Sequence, residues 1–186
     1  MSEIFMSFIH EEEWATKFVE LFIRQVLGVD VFRSSSDTAI YAGDDWMNRV
    51  FEELKTAKVL VSMLSPISIQ RPWINFEAGA AWMRDTKVIP VCFDGLKIGK
   101  LPKPYSSLQA LEIGSIESDH YLVSSIAHHL KISCPPKPRS QVELKLAGGT
   151  ESKEDESRRR QYEMLNNQLK AYSLVNTLTS TEASSK

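Results

Sequence analysis

The segment from Trp73 to Trp82 places one acid among apolar and small residues. Trp73 and Glu77 are four residues apart, so on a helix they share one face, and Phe76 lies in the neighbouring row. A carboxylate held beside an aromatic ring in a partly dry pocket can stabilise a positive charge that develops on a substrate. An isolated Glu is usually a surface acid, but an unpaired acid on a buried helix is costly, which favours a functional role for Glu77.

The chain around this segment alternates short apolar runs with segments of helical period. The runs predict strands at residues 4–9, 30–33, 59–64, 88–93 and 108–113. The periodic segments predict helices at residues 11–27, 44–57, 73–84 and 118–130, and the polar residues 34–43 predict a loop. Regular alternation of this kind predicts a parallel sheet covered by helices on both faces.

A doubly wound parallel sheet places its ligand at the carboxyl ends of the strands. The loops that would surround the ligand follow residues 9, 33, 64 and 93. Glu77 comes after the third of these loops, and Gly79, Ala80 and Ala81 are small enough to let its helix approach the sheet closely. We therefore expect Glu77 at the lip of the crevice.

Two apolar stripes accompany these elements. The first helix carries one face made of Trp14, Phe18, Leu21, Phe22 and Val26.

After Cys134 the composition turns Pro-rich and then charged, which predicts a compact domain at residues 1–134 and a linker and tail at residues 135–186. The tail is expected to be partly helical or disordered, because apolar residues recur at spacings of three and four at Tyr162, Leu165, Leu169 and Tyr172. It is either a solvated tail or a helix that docks on a neighbour.

Bulk properties exclude several classes of function. A net charge of −2 and a pI near 6.1 argue against nucleic acid as a partner. The two cysteines, Cys92 and Cys134, are interpreted as structural thiols of a reducing compartment. No apolar stretch approaches about 18 residues, so we expect a cytoplasmic protein without a membrane partner. The histidines lack a spaced set of further ligands, so no metal is expected.

Four short segments, taken together, resemble bacterial TIR domains: IFMSF at residues 4–8, YAGDDW at 41–46, MLSP at 63–66 and the W-x-x-x-E pattern of Trp73 and Glu77. They occur in order and at sensible spacing over roughly residues 3–132, which is more specific than any single motif. The resemblance implies an α/β fold of the flavodoxin-like type, a three-layer sandwich with a central five-stranded parallel sheet.

The resemblance also implies an activity. Enzymatic TIR domains use a glutamate at the Glu77 position to break the N-glycosidic bond of NAD, which gives nicotinamide and ADP-ribose or a cyclised ADP-ribose. NAD is then the substrate and no cofactor is expected. The resemblance further implies bacterial antiphage immunity, self-association through the TIR domain and a downstream effector that senses the nucleotide product. Six residues are implied in substrate binding: Ser7, Phe8, Phe32, Arg33, Trp46 and Trp73.

The chemistry of NAD cleavage requires few residues. Glycosidases use two carboxyl groups, one of which protonates the leaving oxygen. Nicotinamide in NAD is already cationic and departs as a neutral base, so one ionised carboxylate near the ribose can stabilise the developing charge. Trp73 could stack on the nicotinamide ring. Attack by water gives hydrolysis and attack by the adenine or a ribose hydroxyl gives a cyclic product, and the sequence leaves both open.

Two other functions stay open from the sequence. The domain could be a non-catalytic interaction module that assembles with like domains, or an enzyme like the nucleoside deoxyribosyltransferases, which also rely on a glutamate. A response-regulator receiver is excluded, because its phospho-accepting Asp should end the third strand, where this chain has Met63, Leu64 and Ser65.

Overall fold

The central feature of the computed structural model, which describes residues 2–34, 46–139 and 152–183, is a parallel sheet of five strands. The strands are β1 (Ile4–Ser7), β2 (Val31–Arg33), β3 (Val59–Leu64), β4 (Lys87–Cys92) and β5 (Leu111–Glu112), in the order β2-β1-β3-β4-β5. The helices are α1 (Glu13–Leu27), α2 (Trp46–Thr56), α3 (Pro72–Trp82), α4 (Ile116–Leu130) and α5 (Lys153–Ala183). This order confirms the flavodoxin-like α/β fold, and it places the topological switch point between β1 and β3.

Side-chain alternation along the strands divides the core into two halves. Ile4 and Met6 of β1 face the side that α1 and α4 cover, whereas Phe5 faces Val50 and Leu54 of α2. All six residues of β3 are buried, as expected for a strand with helices on both faces. Two layers of helices therefore enclose the sheet, which makes three layers in all.

The last helix, α5, has 31 residues and packs along α1. Its stripe of Tyr162, Leu165, Leu169 and Tyr172 is buried, and the Tyr162 ring meets the Phe22 ring edge-on with 4.8 Å between centroids. Part of the charged tail therefore joins the same hydrophobic core as β1 and α1.

Helix α1 has two apolar faces, where the sequence predicted one. Ala15, Val19 and Ile23 are buried towards the sheet, while the predicted stripe is turned towards α5. Trp14 and Leu21 of that stripe stay partly exposed, and the Trp14 ring lies 5.4 Å from the Tyr172 ring. The predicted face is thus the contact surface for α5, and the smaller residues of α1 face the sheet because they allow closer packing.

Element ends differ from the predictions at several places. Strand β5 has only two residues, because pairing with β4 is restricted to Leu111 with Val91 and Glu112 with Cys92. A separate helical turn at His10–Glu12 precedes α1, which therefore begins at Glu13. Within the part of the chain that is described, no helix combines the length and the apolar character needed to cross a membrane.

Candidate active site

Glu77 lies in the middle of α3, at the carboxyl edge of the sheet beside the switch point. The helix begins at Pro72, which suits the first helical position because a proline lacks the N–H that would be unsatisfied there. The Glu77 side chain is completely buried and points to Ser7, the last residue of β1. The acid that the sequence nominated is therefore held at the end of a central strand.

Two donors fix the Glu77 carboxylate. Ser7 Oγ donates a short hydrogen bond to Oε2, and Trp73 Nε1 donates to Oε1 at 2.9 Å. The second contact follows from the helical spacing of four residues. Ser34, buried at the end of β2, also favours the ionised form, although its Oγ makes no regular hydrogen bond among the described residues.

The electrostatic balance at Glu77 favours the neutral form. Burial raises the pKa of the carboxyl group from 4.5 to about 7, and the hydrogen bonds from Ser7 and Trp73 oppose only part of this rise. Near neutral pH the group therefore exists in both protonation states. A carboxylate with this property is available as an electrostatic or proton-accepting group under physiological conditions.

The aromatic neighbours of Glu77 lie on the same side of the sheet. Trp73 is half-buried and stacks on Phe76 with 5.1 Å between ring centroids. Phe32 of β2 packs on Phe5 at 5.3 Å, in the core cluster that Trp73 also contacts. Ser7, Phe32, Trp73 and Glu77 are thus the nominated residues that the fold brings to one side.

Two other nominated residues face the opposite layer. Phe8 is buried in the core beneath α1, and the Arg33 guanidinium lies 5.8 Å from the centre of its ring. Arg33 also forms ion pairs with Glu13 at 3.2 Å and Glu20 at 3.0 Å. Their role in substrate binding stays a prediction, with a structural role visible for each. The side chain of Trp46, and with it the rest of the YAGDDW segment, lies outside the described residues.

Tyr105 helps to hold α3 in position through a hydrogen bond to the backbone of that helix. Its hydroxyl donates to the Ile74 carbonyl at 3.0 Å and lies 3.3 Å from Ser62 Oγ. Ser62 is paired with Ser7 across β1 and β3.

The small buried residues of α3 are Ala78 and Ala81. Gly79 is not one of them, since a side chain at Gly79 would meet open space. Of the three small residues to which the sequence attributed a close approach, Gly79, Ala80 and Ala81, only Ala81 is buried, and Ala78 is buried beside it.

The sequence interpretation missed a second buried acid, Glu12. It lies in the turn after β1, and its Oε1 accepts a short hydrogen bond from Ser65 Oγ, just after β3. Its Oε2 is buried without a partner among the described residues. Burial raises the pKa of Glu12 to about 7. The run of three glutamates at residues 11–13 looks like the solvated start of a helix, and only the serine after β3 could have indicated a partner.

Glu12 makes stability depend on pH. The pKa of its carboxyl group is about 7 in the folded protein and 4.5 as the ordinary value. Between these values the unfolded chain has lost the proton while the folded chain keeps it, so the free energy of unfolding falls as pH rises. We expect Glu12→Gln to remove about 3 kcal/mol of that fall, measured by urea unfolding at about pH 4.5 and about pH 8. A fall of equal size in the variant and the wild type would show that Glu12 is not buried as a neutral acid.

Comparison with known proteins adds the family context. A family model described as TIR domain matches residues 4–131. Among solved structures, a metazoan TIR-STING receptor from C. gigas in complex with 2′,3′-cGAMP is similar in fold, with a TM-score of 0.51 and 20% sequence identity. The match covers 70% of this chain, and the chain spans only 39% of the length of that receptor chain. No curated protein matches the chain.

Proposed function

The chain belongs to the TIR domain family, and from that premise we propose that it cleaves the N-glycosidic bond between nicotinamide and ribose in NAD, with Glu77 as the catalytic carboxylate. The observation that supports this most strongly is the placement of Glu77. It is buried at the switch point of the sheet and oriented by two donors, and its pKa lies near 7. Most acids on helices face water, so an acid buried at the ligand-binding edge of a parallel sheet favours a functional role.

The proposed reaction needs only this one acid. The C–N bond breaks and its electron pair goes to the nicotinamide nitrogen, which leaves as a neutral base, while C1′ of the ribose becomes cationic. The ionised Glu77 stabilises that charge. Water then adds to C1′ and releases a proton, giving ADP-ribose, or an internal nucleophile closes a cyclic ADP-ribose with loss of the same proton. Each Glu77 oxygen accepts one hydrogen bond from the protein and can accept another from a ribose hydroxyl.

NAD can reach Glu77 only if the residues that cover the carboxylate move. Glu77 has no exposed surface in the present arrangement. The groups that cover it must therefore move aside when NAD binds, so that the ribose can approach the carboxylate. Exclusion of water in the closed complex then strengthens the charge interaction.

Self-association through the TIR domain, with a role in bacterial antiphage immunity through a nucleotide product, is part of the same proposal. The outer face of α3 supports an assembly. Met83, just past its end, is 88% exposed, and Phe76 and Trp82 are also exposed. Glu77, which is buried, is the one charged residue of this helix. A helix that is apolar on all sides is normally covered.

A parallel assay separates the proposal from its alternatives. The purified protein at high concentration is incubated with NAD, and separately with a deoxynucleoside and a free base. We expect nicotinamide release and no exchange of bases. Base exchange with NAD untouched would indicate a deoxyribosyltransferase-like enzyme, and no turnover of either substrate would leave an interaction module.

The pH dependence of the reaction tests the role of Ser7. Because Glu77 must be ionised, we expect kcat/KM for nicotinamide release to rise with pH, with a midpoint near pH 7, and to level off about one pH unit above it. Ser7→Ala removes a donor to the carboxylate, so the pKa of Glu77 should rise and the rising limb should move to higher pH. Ser62→Ala is the matched control, because Ser62 lies on the neighbouring strand and its Oγ contacts Tyr105. An unchanged midpoint in Ser7→Ala would contradict the assignment.

A further inference from the structure

A tight turn directly after β4 carries the chain from one half of the core to the other. Its central residues, Asp94 and Gly95, have positive φ angles of 50° and 86°, and the Leu96 N–H donates to the Phe93 carbonyl at 3.1 Å. Positive φ at both central positions is what a type I′ turn requires, and Asp-Gly is a common sequence for it. Phe93 packs in the core on the side of α1, α4 and α5, whereas Leu96 packs in the cluster on the side of α3.

The last helix, α5, holds this turn through Asp94. One carboxylate oxygen of Asp94 accepts a hydrogen bond from Ser173 Oγ at 2.6 Å, and the other accepts one from Asn176 Nδ2 at 3.0 Å. Tyr172, next to Ser173, is buried, and its ring lies 6.1 Å from the Phe93 ring. A side chain at the carboxyl edge of the sheet is thus bound on both oxygens by a helix that lies beyond the segment matching the family.

The segment that follows the turn packs against the helix that carries Glu77. Leu96 and Tyr105 are buried in one cluster with Ile74 and Ala78 of α3. These two residues of α3 lie on either side of Glu77 in the sequence, and the Tyr105 hydroxyl donates to the Ile74 carbonyl at 3.0 Å. The position of Glu77 relative to the sheet therefore depends on where this segment lies.

Polar contacts between the middle of the segment and β5 are exposed. Lys97 Nζ forms an ion pair with Glu112 at 2.8 Å, and the Ile98 N–H donates to the same carboxylate at 3.1 Å. Exposed ion pairs contribute little to stability. The turn that α5 holds and the buried Tyr105 are therefore the firmer attachments of the segment.

We propose that Asp94 is a positioning residue for Glu77, which acts through the segment of residues 94–105. While α5 holds the Asp94 carboxylate, the turn keeps the residues that follow it, Tyr105 among them, against α3, and Glu77 stays within reach of Ser7. The effect on NAD cleavage rests on the function proposed above, whereas the effect on α3 does not. The competing interpretation is a contact that only fastens α5 to the domain.

Hydrogen exchange of the backbone amides, measured by mass spectrometry on the full chain, separates the two interpretations. Asp94→Gly removes the carboxylate, and glycine accepts a positive φ without strain. We expect exchange in α3 to become at least about tenfold faster relative to α2, because α3 loses a fixed support. Asp94→Asn is the matched control and should exchange as the wild type does. Asparagine tolerates the same φ, its oxygen can accept from Asn176, and its nitrogen can donate to Ser173 Oγ.

Turnover of NAD gives a second readout. In Asp94→Gly, kcat for nicotinamide release should fall at least about tenfold while KM changes less than about threefold, because a misplaced catalytic group weakens transition-state binding more than substrate binding. The double variant Ser173→Ala, Asn176→Ala removes the two donors from α5 and should reproduce both effects. Tyr162→Phe loosens α5 at a different place and should change neither exchange in α3 nor kcat.

The outcomes of the exchange measurement are distinct. Faster exchange in α5 of Asp94→Gly with unchanged exchange in α3 would overturn the proposal and leave Asp94 as a fastening for α5. An equal effect of Tyr162→Phe on α3 would also contradict it, since any loosening of α5 would then be sufficient. Faster exchange in α3 of Asp94→Gly, in a protein whose wild type leaves NAD intact, would support the positioning role and contradict only the proposed function.

Discussion

Glu77→Gln should reduce NAD cleavage by at least about 100-fold while the protein stays folded, as for the loss of a principal electrostatic catalyst. The amide is nearly isosteric, its oxygen can accept from Trp73 Nε1, and its nitrogen can donate to Ser7 Oγ, so both contacts of the side chain are kept. What is lost is the negative charge beside the ribose. Nicotinamide release under saturating NAD is the measurement, with thermal unfolding followed in parallel.

The same change at Glu12 is the matched control for Glu77. Glu12 is also buried and its pKa is also about 7, but its hydrogen bond goes to Ser65, outside the contacts of Glu77. Glu12→Gln should therefore retain most of the NAD cleavage. Folded Glu77→Gln protein that cleaves NAD as fast as the wild type would refute the catalytic role of Glu77.

Tyr162→Ala should lower the free energy of unfolding by about 3–4 kcal/mol, because it empties a large buried site between α5 and the rest of the core. Tyr162 is 1% exposed and packs edge-on against Phe22. Urea unfolding at neutral pH, followed by far-UV circular dichroism, measures the loss. A destabilisation of this size would show that α5 is part of the cooperative fold.

Tyr162→Phe is the control for the ring itself. The pKa of His120 is lowered by burial, so its neutral Nδ1 can accept the hydrogen bond from the Tyr162 hydroxyl at 3.0 Å. Removing that hydroxyl should cost only about 1 kcal/mol. If Tyr162→Ala is no more destabilising than Tyr162→Phe, then α5 does not contribute to the core in solution.

The architecture was predictable wherever local pattern and burial agree. The continuous apolar run of β3 gave both of its ends correctly, because a strand buried on both faces leaves no polar position to confuse its limits. Strand β5 was predicted too long, since the length of an edge strand depends on how many residues pair with its neighbour β4. The partner of the predicted face of α1 could not be assigned from α1 alone, because that partner is α5, more than a hundred residues away.

The candidate site was predictable only in its local part. The contact of Trp73 with Glu77 follows from helical spacing within α3. The contact of Ser7 with Glu77 depends on how α3 packs across β1, which no local pattern encodes. Glu12 was missed for the same reason, because its burial depends on Ser65, which lies in the loop after β3.

Cleavage of NAD is tested most directly by mass spectrometry of the products after the wild-type protein at high concentration has been incubated with NAD. We expect nicotinamide together with an equal amount of ADP-ribose or of its cyclic form, which is lighter by one water. NAD that is still intact after prolonged incubation with the assembled protein would contradict it, and Glu77 would then be a buried structural acid of an interaction domain.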